Sequence, residues 1–457
     1  MKKILVFIFL VTLLGAQQPA SAGETASITL SPADQDAHWQ AHFSLDGPTT
    51  ELVLIRPSSG GRLERWQFKD QAFELIQDKE TDEDVIRRKD GGSFTTVSIT
   101  EPTTFDMPAK GYLPFAKFGD GGVLLYTGRF HACVMPCPKD DQGDEGPWVF
   151  TVDPGPGERM IANGAVASGP ISFKDSADGT KIYVGDGRIQ DTPTYLAVID
   201  DALPPIVRDD LNRLFPKLMT AFAERLGAPD GKQMMFVSYN VPGTVKGSSI
   251  KGGTLPGQVF MHFEGAQTED FAGSAEFKPF LAWFFAHEAA HLHQHSRGLQ
   301  MDQGDSWIHE GGAEALAYVL LQELGTVDES YLDNRIINQS EKCNAALERG
   351  SLHRAHERDD FDAYYDCGLI IQLFAHREMQ QNGRSLYDLW TNYMTKVDEG
   401  ADWSTETMLD TIKESAGPEA TTFARNITKA EGPLTNAKFE ELKRVANSLL
   451  INPVSQE

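Results

Sequence analysis

The spacing of hydrophobic positions changes partway along the chain. From residue 23 to about 190, short apolar runs at 51–55, 95–99 and 123–126 are separated by Gly, Pro, Thr and Asp. Short strands broken by turn residues predict an N-terminal β-rich, sandwich-like domain. Within it, the charged stretch 78–90 predicts a solvated hairpin or loop. After Gly187 a strand over 195–199 leads into Leu211, Leu214, Phe215, Leu218, Phe222 and Leu226, which recur at helical spacing until Gly227 ends the run. Strands over 234–239 and 258–263, joined by a glycine-rich loop, follow. Helices then take over, at 277–297, 307–324, 368–379, 386–395, 406–416 and 437–450. The expected organisation is a β-rich domain over 23–190, an α+β domain over 191–330 and a helical domain over 331–457.

Residues 1–22 follow another pattern. A Met-Lys-Lys start, an apolar run over 4–14 and Ala20-Ser21-Ala22 read as a secretory signal peptide cut after Ala22, which implies a periplasmic or secreted protein. The run is too short to span a bilayer and no later stretch is long and apolar enough, so no membrane anchor is expected. Export makes the four cysteines candidates for disulfides. Cys133 and Cys137 are close in sequence and far from Cys343 and Cys367, so two local bridges are the simplest pairing. A metal site built from His131, Cys133 and Cys137 has only three ligands and a proline between them, and is disfavoured.

Composition narrows the partners. The chain has 457 residues, 40% of them hydrophobic, and a net charge of −25. It is too apolar for a disordered protein and too acidic to favour nucleic acid. Five of its twelve histidines fall at 287, 291, 293, 295 and 309, which is where chemistry is to be sought.

His287-Glu288-Ala289-Ala290-His291 is an H-E-x-x-H segment inside a helical run. Positions four apart share a helix face, so both imidazoles can reach one zinc ion with Glu288 beside them as the general base. A catalytic zinc needs a third protein ligand and an open position. Glu310, separated from His291 by 18 residues in Trp307-Ile308-His309-Glu310-Gly311, supplies it from the next helix. Glu314, one turn on, is placed to accept the other ring N–H of His287 and fix its tautomer. His293 and His295 read as helix-surface or supporting residues, since a fourth protein ligand would close the site.

These motifs resemble the gluzincin metallopeptidases, in particular the aminopeptidase N family and its relatives the leukotriene hydrolases and glycyl aminopeptidases. The resemblance implies a thermolysin-like α+β catalytic domain, one Zn2+ ion and a peptide or protein substrate. It also implies a tyrosine from a Y-x-x-G segment that stabilises the tetrahedral intermediate, and Tyr365-Asp366-Cys367-Gly368 matches that segment. Asn382-Gly383-Arg384-Ser385-Leu386 is similar to the G-R-S-L turn of the glycyl aminopeptidases. Two departures stand out. The G-x-M-E-N strand whose glutamate holds a substrate amine is missing, and His309 replaces a small polar residue. Gly257, Gln258, Val259, Phe260 and Met261 take the place of that strand and are expected to be an edge that pairs with the substrate. Whether Glu264 holds a free amine stays open.

The expected function is an exported zinc metallopeptidase that hydrolyses peptide bonds with zinc-activated water and Glu288 as base. The alternatives are a secreted zinc-binding scaffold, in which His295 or His309 would close the coordination sphere, and a zinc hydrolase of a non-peptide amide or ester. Residues 251–400 hold 24 acidic and 11 basic residues, an excess that predicts a negative cleft favouring basic or amine-bearing substrates. At low salt the purified protein is expected to cleave basic peptides faster than acidic ones of equal length; equal rates would assign the acidity to solubility alone.

Overall fold

The structure is a computed structural model that describes residues 23–451, apart from 34–36, 57, 59–60, 79–82, 104–111, 138–144, 241–246, 296–302 and 431–434. The expected leader, residues 1–22, lies outside the described residues. No described helix is long and apolar enough to cross a membrane.

The first half is β-rich, as its short alternating runs predict. His38–Thr49 alternates buried and half-exposed positions, because every second residue of His-Trp-Gln-Ala-His-Phe-Ser-Leu faces inward. It pairs antiparallel with Ser27–Pro32 and Phe94–Pro102 in a six-stranded sheet. A four-stranded and a five-stranded sheet complete this half. Trp39, Phe43, Phe115, Phe130, Trp148 and Phe150 are among the side chains that fill the core these sheets share. The strand Phe73–Gln77 precedes the charged stretch and pairs antiparallel with Asp84–Arg88 inside it, while residues 79–82 lie outside the described residues. Cys133 bonds Cys137. That bond takes both sulfurs out of any metal site, while His131 stacks on Trp148 at 4.1 Å and meets Asp175 at 2.7 Å.

A second five-stranded sheet follows in the order Ile189–Asp191, Tyr195–Ile199, Gln233–Asn240, Gln258–Glu264, Ser249–Leu255. Its first strand straddles the boundary expected at 190. The substrate-pairing edge expected at Gly257, Gln258, Val259, Phe260 and Met261 is corrected here. Gln258–Glu264 pairs parallel with Gln233–Asn240 on one side and antiparallel with Ser249–Leu255 on the other, and every position is buried. A continuous buried run with neighbours on both sides is an interior strand. The edge is Ser249–Leu255, which the adjoining Gly252 and Gly253 disguise as loop. Gly257 sits in the turn between them at φ +69°. Gln258 instead joins the two halves: its Oε1 accepts from the Lys181 N–H at 2.7 Å and its Nε2 donates to the Lys181 C=O at 2.8 Å. Around this bond Phe118, Leu124 and Tyr183 of the first half pack with Leu196, Phe236 and Phe260.

The remaining helices share one core that runs from Tyr195 to Ala446. Pro205–Leu226 and Phe277–His295 pack together, and Phe277–His295 contacts Ser306–Leu324. Two of the longer helices were not legible. Glu329–Arg349 buries only a narrow stripe that includes Leu332, Ile336 and Cys343, and Pro418–Thr428 is rich in Ala and Thr. The bridge Cys343–Cys367 ties Glu329–Arg349 to Asp362–Gln380.

Ser306–Leu324 and Asp362–Gln380 approach each other at two glycines. A β-carbon on Gly368 would lie 2.5 Å from the Trp307 carbonyl oxygen and 2.6 Å from Gly311 Cα. Both neighbours are backbone and cannot rotate away. Gly368→Ala is therefore expected to lower unfolding stability by about 1–3 kcal/mol, the usual cost of overpacking. Denaturant unfolding of the purified variant measures this; an unchanged midpoint would mean that the helices are free to separate.

Candidate active site

Phe277–His295 is helical because a run of Phe, Leu, Ala and Trp leads into His-Glu-Ala-Ala-His without a breaker after Pro279. His287 and His291 are both buried, one turn apart. Ser306–Leu324 brings Glu310 against them. His291 Nε2 lies 3.0 Å from His287 Nε2 and 3.1 Å from Glu310 Oε2, and His287 Nε2 lies 3.5 Å from Glu310 Oε2.

The far sides of both rings face acceptors. His287 Nδ1 lies 3.1 Å from Glu314 Oε1 and His291 Nδ1 lies 2.7 Å from Gln294 Oε1. Gln294 is itself oriented, since its Nε2 donates to the His309 carbonyl at 3.2 Å. Acceptors at Nδ1 place the proton there, so each Nε2 turns a lone pair toward the other and toward the Glu310 carboxylate. Three converging acceptors call for a cation. Ligands at about 2.0–2.1 Å from a tetrahedral zinc are spaced by roughly 3.4 Å, close to the separations here. The donor set therefore fits zinc. The electrostatics agree: burial opposes charge on His287, yet hydrogen bonds to Glu310 and Glu314 overcome it and push its pKa up to about 10.

Glu314 is buried and fully engaged. Besides facing His287 it accepts from Trp283 Nε1 at 3.0 Å, Arg335 Nη2 at 2.7 Å and Gln339 Nε2 at 2.8 Å. Despite burial, which favours the neutral acid, Arg335 and His287 hold its pKa far below the usual carboxylate range. Arg335 also lies 3.8 Å over the Trp283 ring. Trp283, Arg335 and Gln339 carry no motif. Only their places one turn before His287 and on a polar helix face could have suggested them.

Glu288 is buried on the neighbouring face, and the Thr254 hydroxyl of the edge strand donates to its Oε2. Tyr365 stacks on His287 at 5.7 Å with rings 16° apart. Burial and then the nearby Glu310 carboxylate raise the pKa of its phenol, so the hydroxyl keeps its proton. The adjacent Tyr364 points elsewhere, to His356 Nδ1 at 2.9 Å. Tyr112 of the β-rich half reaches across to donate to the Thr254 carbonyl at 3.2 Å. No sequence signal marked Thr254 or Tyr112.

The other histidines stand apart. His309 stacks over His291 at 4.0 Å. His293 meets the Gly227 carbonyl at 2.9 Å, and burial depresses its pKa to about 4. His262 meets Ser238 Oγ at 2.6 Å, between strands. Among the described residues, the metal-ligating group at this site consists of His287, His291 and Glu310. Glu264 faces Lys251 at 3.5 Å.

At the level of sequence, no family model and no curated protein matches this chain. Solved structures do match its architecture. An aminopeptidase N family protein from Idiomarina loihiensis superimposes with a TM-score of 0.61 at 12% identity, covering 91% of this chain and 78% of that one. The fold is that of the aminopeptidase N family. An M1 zinc metallopeptidase from Deinococcus radiodurans, solved with a Tyr-Ser-Ala substrate, gives a TM-score of 0.52 at 14% identity, covering 90% and 95% of the two chains. Yeast LTA4 hydrolase gives 0.53 at 12% identity, covering 91% and 68%. In this aminopeptidase N-like fold the acceptor cluster sits where the edge strand, the two central helices and Asp362–Gln380 meet.

Removing the charge that orients His287 tests the site without touching a donor. Glu314→Gln is expected to weaken zinc affinity by about 10–100-fold, read by competition with a chromophoric chelator. Unchanged affinity would show that Glu314 does not set the imidazole.

Proposed function

We propose that the chain is a zinc-dependent peptidase, with His287, His291 and Glu310 holding one zinc ion. The observation that carries this reading is the convergence of three acceptors beside a buried Glu288 at the edge of a sheet, within an aminopeptidase N-like fold. Zinc bound there supplies a Lewis acid that acidifies water to a pKa near ~7 and polarises a carbonyl. Everything else falls to residues of the chain.

In this reading Glu288, steered by the Thr254 hydroxyl, takes a proton from the attacking water and passes it to the leaving amine. The water oxygen ends on the acyl carbon as the C–N bond breaks, giving a carboxylate and an amine. The Tyr365 hydroxyl donates a hydrogen bond to the carbonyl oxygen as negative charge gathers there. Glu314 and Gln294 keep the two imidazoles in the tautomer that presents Nε2. Ser249–Leu255 offers an open backbone edge on which an extended peptide can add as a further strand.

The segment 191–330 serves in this proposal as a thermolysin-like catalytic domain, and 331–457 as the helical domain that completes the site through Tyr365. The β-rich domain over 23–190 contributes Tyr112. Residues 1–22 act as the export signal.

Glu288→Gln keeps the size of the side chain and removes the base. It is expected to bind zinc with unchanged stoichiometry while kcat falls by about 100-fold or more. Metal analysis and peptide hydrolysis on the same preparation check this; retained activity would remove Glu288 from the mechanism.

A further inference from the structure

The composition of the edge strand bears on which peptides can enter. Ser249–Leu255 reads Ser-Ile-Lys-Gly-Gly-Thr-Leu and has no acidic residue. The groups it presents beside Glu288 are neutral: the Thr254 hydroxyl on Glu288 and the Thr254 carbonyl, which accepts from Tyr112. Its one charged residue, Lys251, faces Glu264 at 3.5 Å.

The carboxylates gathered at the site have partners of their own. Glu310 meets the two imidazoles, Glu314 meets His287, Trp283, Arg335 and Gln339, and Glu288 meets Thr254. Glu264 is on the wrong face. Val259, Met261 and Phe263 turn to the core that holds the His-Glu-Ala-Ala-His helix, whereas Phe260 turns to the β-rich half. Side chains alternate along a strand, so Glu264 shares the face of Phe260. It is also five residues beyond Val259, the register partner of Thr254, or roughly 17 Å along the strand.

Resting on the zinc-peptidase reading, we propose that this cleft accepts internal or N-blocked peptide bonds and does not read a free N-terminus. An ammonium group drawn from water to a site beside a metal cation needs a carboxylate partner to offset its desolvation. The three carboxylates of the site already face other groups, and Glu264 lies on the opposite face of the sheet. A peptide continuing past the scissile bond brings amides instead, which need only neutral donors and acceptors. The edge supplies these. At Gly252 and Gly253 it exposes backbone without side chains, so the chain of a substrate can run on past the cleaved residue.

The test uses one extended peptide made with a free and with an acetylated N-terminus. Both are incubated with the zinc-loaded mature protein, with and without chelator, and the products are read by mass spectrometry. Both forms are expected to be cut at the same internal bonds, at rates within about threefold of each other, because no buried charge pair is lost. Binding of the two peptides to Glu288→Gln, read by calorimetry, is expected to agree within about the same factor. Stepwise removal of single N-terminal residues, with acetylation slowing cleavage or weakening binding by about 30-fold or more, would overturn the proposal and leave the zinc-peptidase reading standing. Absence of chelator-sensitive cleavage of either peptide would overturn both.

Discussion

The contact on which the site depends is made between two glycines. Gly311 follows Glu310 directly and Gly368 lies three residues after Tyr365, and at this crossing a β-carbon on either would strike the backbone of the other helix. Because neither residue has one, Ser306–Leu324 and Asp362–Gln380 come close enough to set Glu310 and Tyr365 on the same side of His287. The Glu310 carboxylate on one helix and the Tyr365 phenol on another are thus brought within reach of each other. The bridge Cys343–Cys367, one residue before Gly368, pins the same helix from behind. Nearby, a β-carbon on Gly312 would lie 2.1 Å from Trp390, so the Glu310 helix is closely packed on that side too.

Around this crossing the electrostatics follow a single demand. Buried acceptors that point at one another are unfavourable unless a positive charge joins them. The cluster of two Nε2 atoms and a carboxylate is such a set, and it persists because Glu314 and Gln294 occupy the outward nitrogens. Glu314 in turn would be costly as a lone buried carboxylate. Arg335, Trp283 and Gln339 divide its lone pairs among them, and Arg335 stacks on the same Trp283 that donates to Glu314. The site is therefore built outward in layers, each satisfying the polar groups left open by the one inside it.

What could be read in the sequence corresponds to what is local. His287 and His291 are four apart on a helix, so their shared face follows from helical geometry alone. Glu310 and Glu314 lie on the next helix, whose start and end are marked. The two disulfides follow from closeness in the chain. What was not legible depends on packing between distant segments. The edge strand was read eight residues too late because Gly252-Gly253 carries no hydrophobic alternation. Its glycines are explained by Phe284 and Phe260, which a β-carbon on Gly252 would strike at 2.5 Å. Gln258 was read as a substrate contact for the same reason, although its amide is committed to Lys181. Glu329–Arg349 escaped because most of its surface is polar, and two of its polar residues, Arg335 and Gln339, serve Glu314.

The β-rich half is more than a neighbour of the sheet that bears the site. Lys181 is fully buried, and its ammonium lies 4.7 Å from the Phe260 ring, 5.0 Å from Tyr126 and 5.5 Å from Tyr112, donating to the Leu113 carbonyl. Burial lowers its pKa to about 7, which makes it a cation only weakly committed to its charge. Arg129 Nε donates to the next carbonyl back, that of Tyr112, at 2.9 Å. Two basic side chains thus fasten consecutive carbonyls of the 112–113 segment, and the phenol that emerges from it ends on Thr254. The strand that meets Glu288 is consequently positioned from both directions, by its own hairpin to Gln258–Glu264 and by a residue more than a hundred positions earlier. A half of the molecule with no catalytic motif in its sequence thereby helps to place the strand against which Glu288 rests.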